Sequence, residues 1–182
     1  MAIEANALLV LGWVIWLVPF LRSARSRTAA EKVDRRARIG VALQSLAYWL
    51  LFFQPFWRSR PDALRLGAEA IFIVLGCLLS SSALRNLGKQ WRVDAGLNQD
   101  HELVRSGPYR IVRHPIYLSM LCMLIATGCA LAPLTFLAAS VLIFLVGTEI
   151  RVRIEDSLLA SRFGQDFRGY TDAVSAYVPF IR

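Results

Sequence analysis

Apolar residues gather along the chain in five runs, at 7–21, 39–57, 66–84, 116–131 and 134–148, with polar or charged residues between them. A membrane-crossing helix needs roughly 20 mainly apolar residues, with a lower limit near 17. Several of the runs are short by that measure. As a set they predict an all-α integral membrane protein with about five transmembrane helices. Pro133 splits the last two runs. Proline is poor inside a helix and good at the start of one, so a helical hairpin is expected there. The last run continues without a breaker into "EIRVRIEDSLLASRFG" (149–164), which predicts an extended last helix that leaves the membrane and stops near Gly164. The tail "QDFRGYTDAVSAYVPFIR" (165–182) mixes aromatic and polar residues and is expected at the membrane interface. No internal repeat or low-complexity segment interrupts this order, and the 182 residues read as one domain.

Composition sharpens the picture. Hydrophobic residues make up 56% of the chain and the mean hydropathy is +0.47, too apolar for an ordinary soluble domain. The net charge of +8 and pI near 10.1 are better explained by loops facing anionic lipid than by nucleic acid. Residues 22–38, "RSARSRTAAEKVDRRAR", carry most of that charge. By the positive-inside rule this loop is cytoplasmic, the N-terminus outside and the C-terminus cytoplasmic. Residues 85–113 and the tail after 148 then share the inner face. Glu4, not a basic cluster, precedes the first run, so no cleavable signal is expected. Cys77, Cys122 and Cys129 all sit in apolar runs without C-x-x-C spacing, which makes them packing residues and leaves no metal site. Ser80, Ser81, Ser82 and Ala83 are small enough to let helices approach closely in lipid.

A polar knot, "LVRSGPYRIVRHPIY" (103–117), lies between the third and fourth runs. Pro115 drives His114 out of helical conformation and is itself a good first helical residue, so His114 is expected at a loop-to-helix junction. The N–H groups of that first turn favour anions, and Arg113 adds a full charge beside them. Gly107 and Pro108 form a turn that returns Tyr109 to the same place. The chain's two histidines, His101 and His114, both belong to this region. Farther on, "EIRVRIED" (149–156) puts Arg151 and Glu155, and likewise Glu149 and Arg153, on common helix faces. A buried glutamate there could receive an ammonium or paired hydroxyls, and an arginine a turn away could grip a carboxylate. The same residues have plainer readings: positive-inside anchoring for Arg113 and His114, a solvated i,i+4 ion pair for Arg151 and Glu155, and interfacial belt positions for Tyr109 and Tyr117. Glu69, an ionisable group within the third run, has an open role.

"HELVRSGPYRIVRHPIY", followed by "RIED", "FG…Y" and "VPFI", resembles the isoprenylcysteine carboxyl methyltransferase family, integral-membrane enzymes that use S-adenosylmethionine. The resemblance covers residues 87–182, the cofactor-binding half. Across residues 1–86 only the pattern of spans agrees. It implies a cytosolic cofactor pocket closed by the loop and the extended last helix. His101, Glu102, Leu103 and Val104 would line the adenosine, and Tyr109, His114, Pro115, Ile116 and Tyr117 the rest of the cofactor. Glu155 would hold it from the opposite side, and Arg151 matches the position that orients the substrate. Arg113 is assigned to binding with His114. Two positions depart from the family's pattern: Ser119 stands where a glycine is common, and Asp156 replaces the second glutamate of an acidic pair.

The resemblance implies methyl transfer to a lipophilic, prenylated or related lipid carboxylate within the membrane, a displacement that needs alignment more than a strong base. An amine or hydroxyl acceptor would add the need for a base. Two other readings stand beside it: an NADPH-dependent reductase of an unsaturated lipid, and a non-enzymatic protein whose basic face holds anionic headgroups. The sequence assigns no particular acceptor and no oligomeric state.

Overall fold

A computed structural model describes residues 2–23, 32–52, 61–92, 95–97 and 100–177. Six α-helices order the chain: α1 (Ala2–Ser23), α2 (Ala37–Phe52), α3 (Ala63–Leu87), α4 (Pro115–Leu131), α5 (Leu134–Phe163) and α6 (Gln165–Ala173). Short 3-10 turns occupy Gly88–Gln90 and Gly107–Arg110. Two-residue strands, β1 (Lys32–Val33) and β2 (Gly96–Leu97), pair antiparallel and tie the loop after α1 to the loop after α3. The fold is the expected all-α membrane architecture. Among the described residues, α1, α3 and α5 are long and apolar enough to cross a bilayer, while α2 and α4 are shorter apolar helices. Residues 53–57 of the second apolar run lie outside the described residues.

The helix boundaries have local causes. Asp62 caps α3 by accepting from the Arg65 N–H at 2.8 Å. Pro115 opens α4 and Pro133 precedes α5, so the α4–α5 hairpin turns within two residues. Gly164, at φ +52°, ends α5 in a backbone conformation that side-chain-bearing residues rarely adopt.

α2 packs along α5, α3 along α4, and α1 against α3. Ala47, Leu51, Leu124, Ala132 and Phe144 form a fully buried cluster where α2, α4 and α5 meet. Hydrogen bonds stitch the helices in a setting with no competing water: Trp13 donates to Thr127 (3.2 Å), Trp16 to Ser119 (3.3 Å) and Gln44 to Thr148 (2.9 Å). Large apolar residues such as Val10, Leu11, Leu78, Leu142 and Val146 face outward, as lipid contact requires.

In the tail, 165–173 forms α6, which buries Phe167 and Tyr170. The Tyr170 hydroxyl donates to the Tyr109 carbonyl, and beyond α6 the chain forms a parallel bridge from Ser175 to Val112. Buried polar backbone seeks partners, and the knot's unpaired groups supply them. Residues 178–182 lie outside the described residues.

Candidate functional site

One cavity of about 400 Å3 opens where the C-terminal ends of α1 and α3, the starts of α2 and α4, and the middle of α5 converge. Its polar wall comes from the knot and α5, with His101, Tyr109, Arg113, His114, Tyr117, Arg151 and Glu155 all facing it. Its apolar wall comes largely from α1 and α2, where Trp16, Phe20, Val41 and Tyr48 line it.

His114 stands at the N-cap of α4, as its proline neighbour predicts. Its ring is pinned on both nitrogens. Nε2 lies 2.9 Å from Asp156 Oδ1 and Nδ1 3.5 Å from Glu155 Oε2. Burial works against a charge on this ring, but hydrogen bonds to Asp156 and Glu155 and the charges of both outweigh it, pushing the pKa up to about 9. His114 is therefore an imidazolium at neutral pH. Tyr117 stacks on it at 5.6 Å, donates its hydroxyl to Glu155 and carries the Arg151 guanidinium 5.0 Å above its ring. Arg151 Nη2 completes the ring of contacts at 3.4 Å from Glu155 Oε1. Three cations, Arg113, His114 and Arg151, thus surround two carboxylates. The cluster keeps one positive charge over.

Just ahead of the first turn of α4 the backbone is already engaged. The Arg113 and His114 N–H groups donate to the Ser175 and Ala176 carbonyls, both at 2.8 Å. The Arg113 guanidinium donates to Asp156 at 2.9 Å and to the carbonyls of Val174 and Thr171. A guanidinium this deeply buried needs such partners, so its charge is spent on holding the tail and α5 together. Asp156, whose role the sequence left open, is the hub of that lock.

Of the remaining expected residues, His101, Pro115 and Ile116 line the cavity. Burial, with the charges of Arg162 and Arg92, lowers the His101 pKa, so this ring is neutral. Its Nδ1 is buried with no partner among the described residues. Glu102, Leu103 and Val104 are not brought to the cavity: Glu102 is exposed, and the others are half-buried outside its lining. Past His101 the chain is drawn aside, because Arg105 donates to the Asp166 carbonyl and Ser106 to Asn86 on α3. Gly107, at φ +58°, turns against Asn86 so closely that a Cβ would lie 2.4 Å from its side-chain nitrogen.

Sequence reasoning passed over the apolar wall and Gln44. Trp16, Phe20 and Trp91 form a continuous aromatic strip with centroid spacings of 4.4 and 5.7 Å, and no sequence pattern marks such a strip. Gln44 did carry a signal, as a polar residue inside an apolar run. Ser119, which stands where the family favours glycine, accepts from the Trp16 indole and so fixes part of the wall. Glu69 lies apart from the cavity in α3, fully buried, with both oxygens unpartnered among the described residues. The cysteines are free, and no group of acidic, histidine and cysteine side chains among the described residues could hold a metal ion.

Known proteins agree with this arrangement. The profile of the isoprenylcysteine carboxyl methyltransferase (ICMT) family matches residues 69–161. Protein-S-isoprenylcysteine O-methyltransferase B of Arabidopsis thaliana is 30% identical over 112 residues, covering 60% of this chain and 56% of that protein. The cobalt-zinc-cadmium resistance protein CzcN of Cupriavidus metallidurans is 30% identical over 152 residues, 83% of this chain and 68% of that one. The solved structure of the eukaryotic intramembrane Ras methyltransferase ICMT superposes with a TM-score of 0.60 at 23% identity, covering 82% of this chain and 55% of that one. This last likeness speaks to the fold. The chain spans about half the length of the curated methyltransferases it matches. The family match over half the chain, with the shared fold, shows that the chain belongs to the isoprenylcysteine carboxyl methyltransferase family.

Proposed function

We propose that this chain transfers a methyl group from S-adenosylmethionine to the carboxylate of a lipophilic acceptor of the S-isoprenylcysteine kind, at the cytoplasmic edge of the membrane. One observation carries the reading: a single cavity joins the His114–Tyr117–Glu155 cluster to an apolar wall supplied by membrane helices. The relatives' named activity supports the same chemistry.

The donor set fits the cofactor. Glu155, partly open to the cavity, suits an ammonium or a pair of hydroxyls. His101 Nδ1 and Gln90 Oε1, buried and without a partner among the described residues, both belong to lining residues and suit the edge of a base. Tyr109, which lines the cavity, would offer a ring face to a cation. When bound, S-adenosylmethionine supplies an electrophilic methyl group. A carboxylate acceptor is already a nucleophile, so the protein's work is alignment and the exclusion of water. Arg151 would orient that carboxylate, and the Trp16–Phe20–Trp91 strip with Val41 and Tyr48 would hold its hydrocarbon and keep the site dry. In this reading residues 22–38, 85–113 and the tail face the cytoplasm, and residues 1–86 and 87–182 act as one domain because both wall the same cavity.

Calorimetry in detergent with S-adenosylhomocysteine tests the cofactor half, with saturable heat as the expected result. No heat at millimolar ligand from folded protein would overturn the reading, and displacement by NADPH alone would replace it with a reductase. Labelled S-adenosylmethionine, incubated with a total membrane lipid extract and followed by mass spectrometry, would identify the acceptor.

A further inference from the structure

We propose that Gln44 is a positioning residue for Arg151, holding its guanidinium toward the acceptor without neutralising it. This rests on the methyltransferase reading and deepens it, because Gln44 belongs to α2, outside the part of the chain that the family profile matches.

Gln44 is only 2% exposed and lines the cavity. An amide at that depth in an apolar helix needs its hydrogen bonds met. Its nitrogen donates to the Thr148 hydroxyl at 2.9 Å, and its oxygen accepts from Arg151 Nη1 at 3.5 Å. The order is forced by chemistry. A guanidinium only donates, so the amide oxygen must face Arg151, and the hydroxyl, able to accept, takes the nitrogen. Thr148 and Arg151 lie three residues apart on α5, so both ends of one amide grip one face of that helix.

The helices come close enough for this because glycine meets glycine just beside it. A Cβ on Gly40 would fall 2.5 Å from the Gly147 carbonyl and 2.5 Å from Arg151 Cγ, and one on Gly147 would fall 2.8 Å from the Gly40 carbonyl. The register of α2 on α5 is therefore set at the turn that presents Arg151.

The neutrality of Gln44 matters. Glu155 already answers part of the Arg151 charge from one side, and the Tyr117 ring supports it from another. A third, anionic neighbour would compete with an acceptor carboxylate. A neutral acceptor amide steers the guanidinium without adding a counter-charge. The contacts of Arg151 with Gln44 at 3.5 Å and with Glu155 at 3.4 Å are long.

The test compares wild type with Gln44→Met, which keeps the volume, and Gln44→Glu, which keeps an oxygen toward Arg151 but adds charge. Three readouts are taken in detergent: S-adenosylhomocysteine affinity by calorimetry, quenching of tryptophan fluorescence by S-farnesyl-N-acetylcysteine, and methyl transfer to that probe and to the lipid extract. Both variants should bind S-adenosylhomocysteine as wild type does, while kcat/KM for a carboxylate acceptor falls on the order of tenfold or more. Gln44→Glu should weaken probe binding at least as much as Gln44→Met. A merely structural Gln44 gives another pattern: Gln44→Glu restores wild-type kinetics, or cofactor affinity falls in parallel with transfer. Either result overturns the inference. Wild-type protein that binds no S-adenosylhomocysteine and methylates neither substrate removes the methyltransferase reading itself, and the inference with it. Should Gln44→Met fail to fold, the Gln44→Glu comparison decides alone.

Discussion

The two walls of the cavity solve opposite problems with opposite materials. The knot and α5 bury charge, and each buried charge there has a named partner: Arg113 with Asp156, His114 with Asp156 and Glu155, Arg151 with Glu155. The α1–α2 wall buries ring surface; Trp16 and Tyr48 each donate once, to Ser119 and to the Met120 carbonyl, and Gln44 reaches across to Thr148 and Arg151. Coupled ion pairs demand a particular geometry, because an orphaned buried charge is costly. Apolar surface is non-directional and tolerates many arrangements. On the proposed reading, the charged wall suits an invariant cofactor, whereas the apolar wall suits acceptors that differ in shape.

Substitutions can separate the walls, and the largest effect is expected at Glu155. Glu155→Ala removes the carboxylate shared by His114, Tyr117 and Arg151. S-adenosylhomocysteine affinity should fall on the order of a hundredfold, read by calorimetry, while the protein stays folded by circular dichroism. Retained affinity would place the cofactor elsewhere and dissolve the contrast between the walls.

Next comes Asp156→Asn, which strands the buried Arg113 guanidinium against a neutral amide. A loss of about 3 kcal/mol is expected. Thermal unfolding in detergent measures it, and limited proteolysis should cut the tail beyond α6 sooner. A change confined to activity would mean that Asp156 serves the ligand instead of the lock.

Gly40→Ala acts where the two walls join. Its Cβ meets the Gly147 backbone, which cannot rotate away, so α2 must shift off α5 at a cost of about 1–3 kcal/mol. Acceptor kinetics should suffer more than cofactor binding, because the displaced residue is Arg151.

The smallest effect is a pH dependence. His114 titrates near 9 in the fold, above the ordinary histidine value of about 6.5. The stabilisation from its charge is complete below about pH 6.5 and is lost as pH rises through about 9. The thermal midpoint should accordingly fall on the alkaline side, and His114→Gln should flatten that part of the curve. An unchanged slope in the variant would assign the titration to another group.

How much of this could be read in advance differs by wall. The loop-to-helix junction at His114, the hairpin at Pro133, the stop at Gly164 and the shared face of Arg151 and Glu155 all follow from local rules. Proline geometry, glycine conformation and helical spacing act within a few residues. Arg113 shows where such local rules stop. Its neighbours in sequence suggested a free charge, but its partner Asp156 is forty-three residues away. Glu102, Leu103 and Val104 were drawn from the cavity by contacts to Asn86 and Asp166, which no local rule anticipates.

What the sequence determined alone was the set of membrane helices, their breaks, and a polar knot placed to meet an acidic pair. Hydropathy, proline and helical periodicity suffice for that, since each acts over one element. Only the tertiary structure decided which charges answer one another, that the tail closes on the knot, and that Gln44 and the aromatic strip share a cavity with Glu155. Those facts depend on how helices pack side by side, and in a bilayer that packing turns on single small residues such as Gly40 and Gly147.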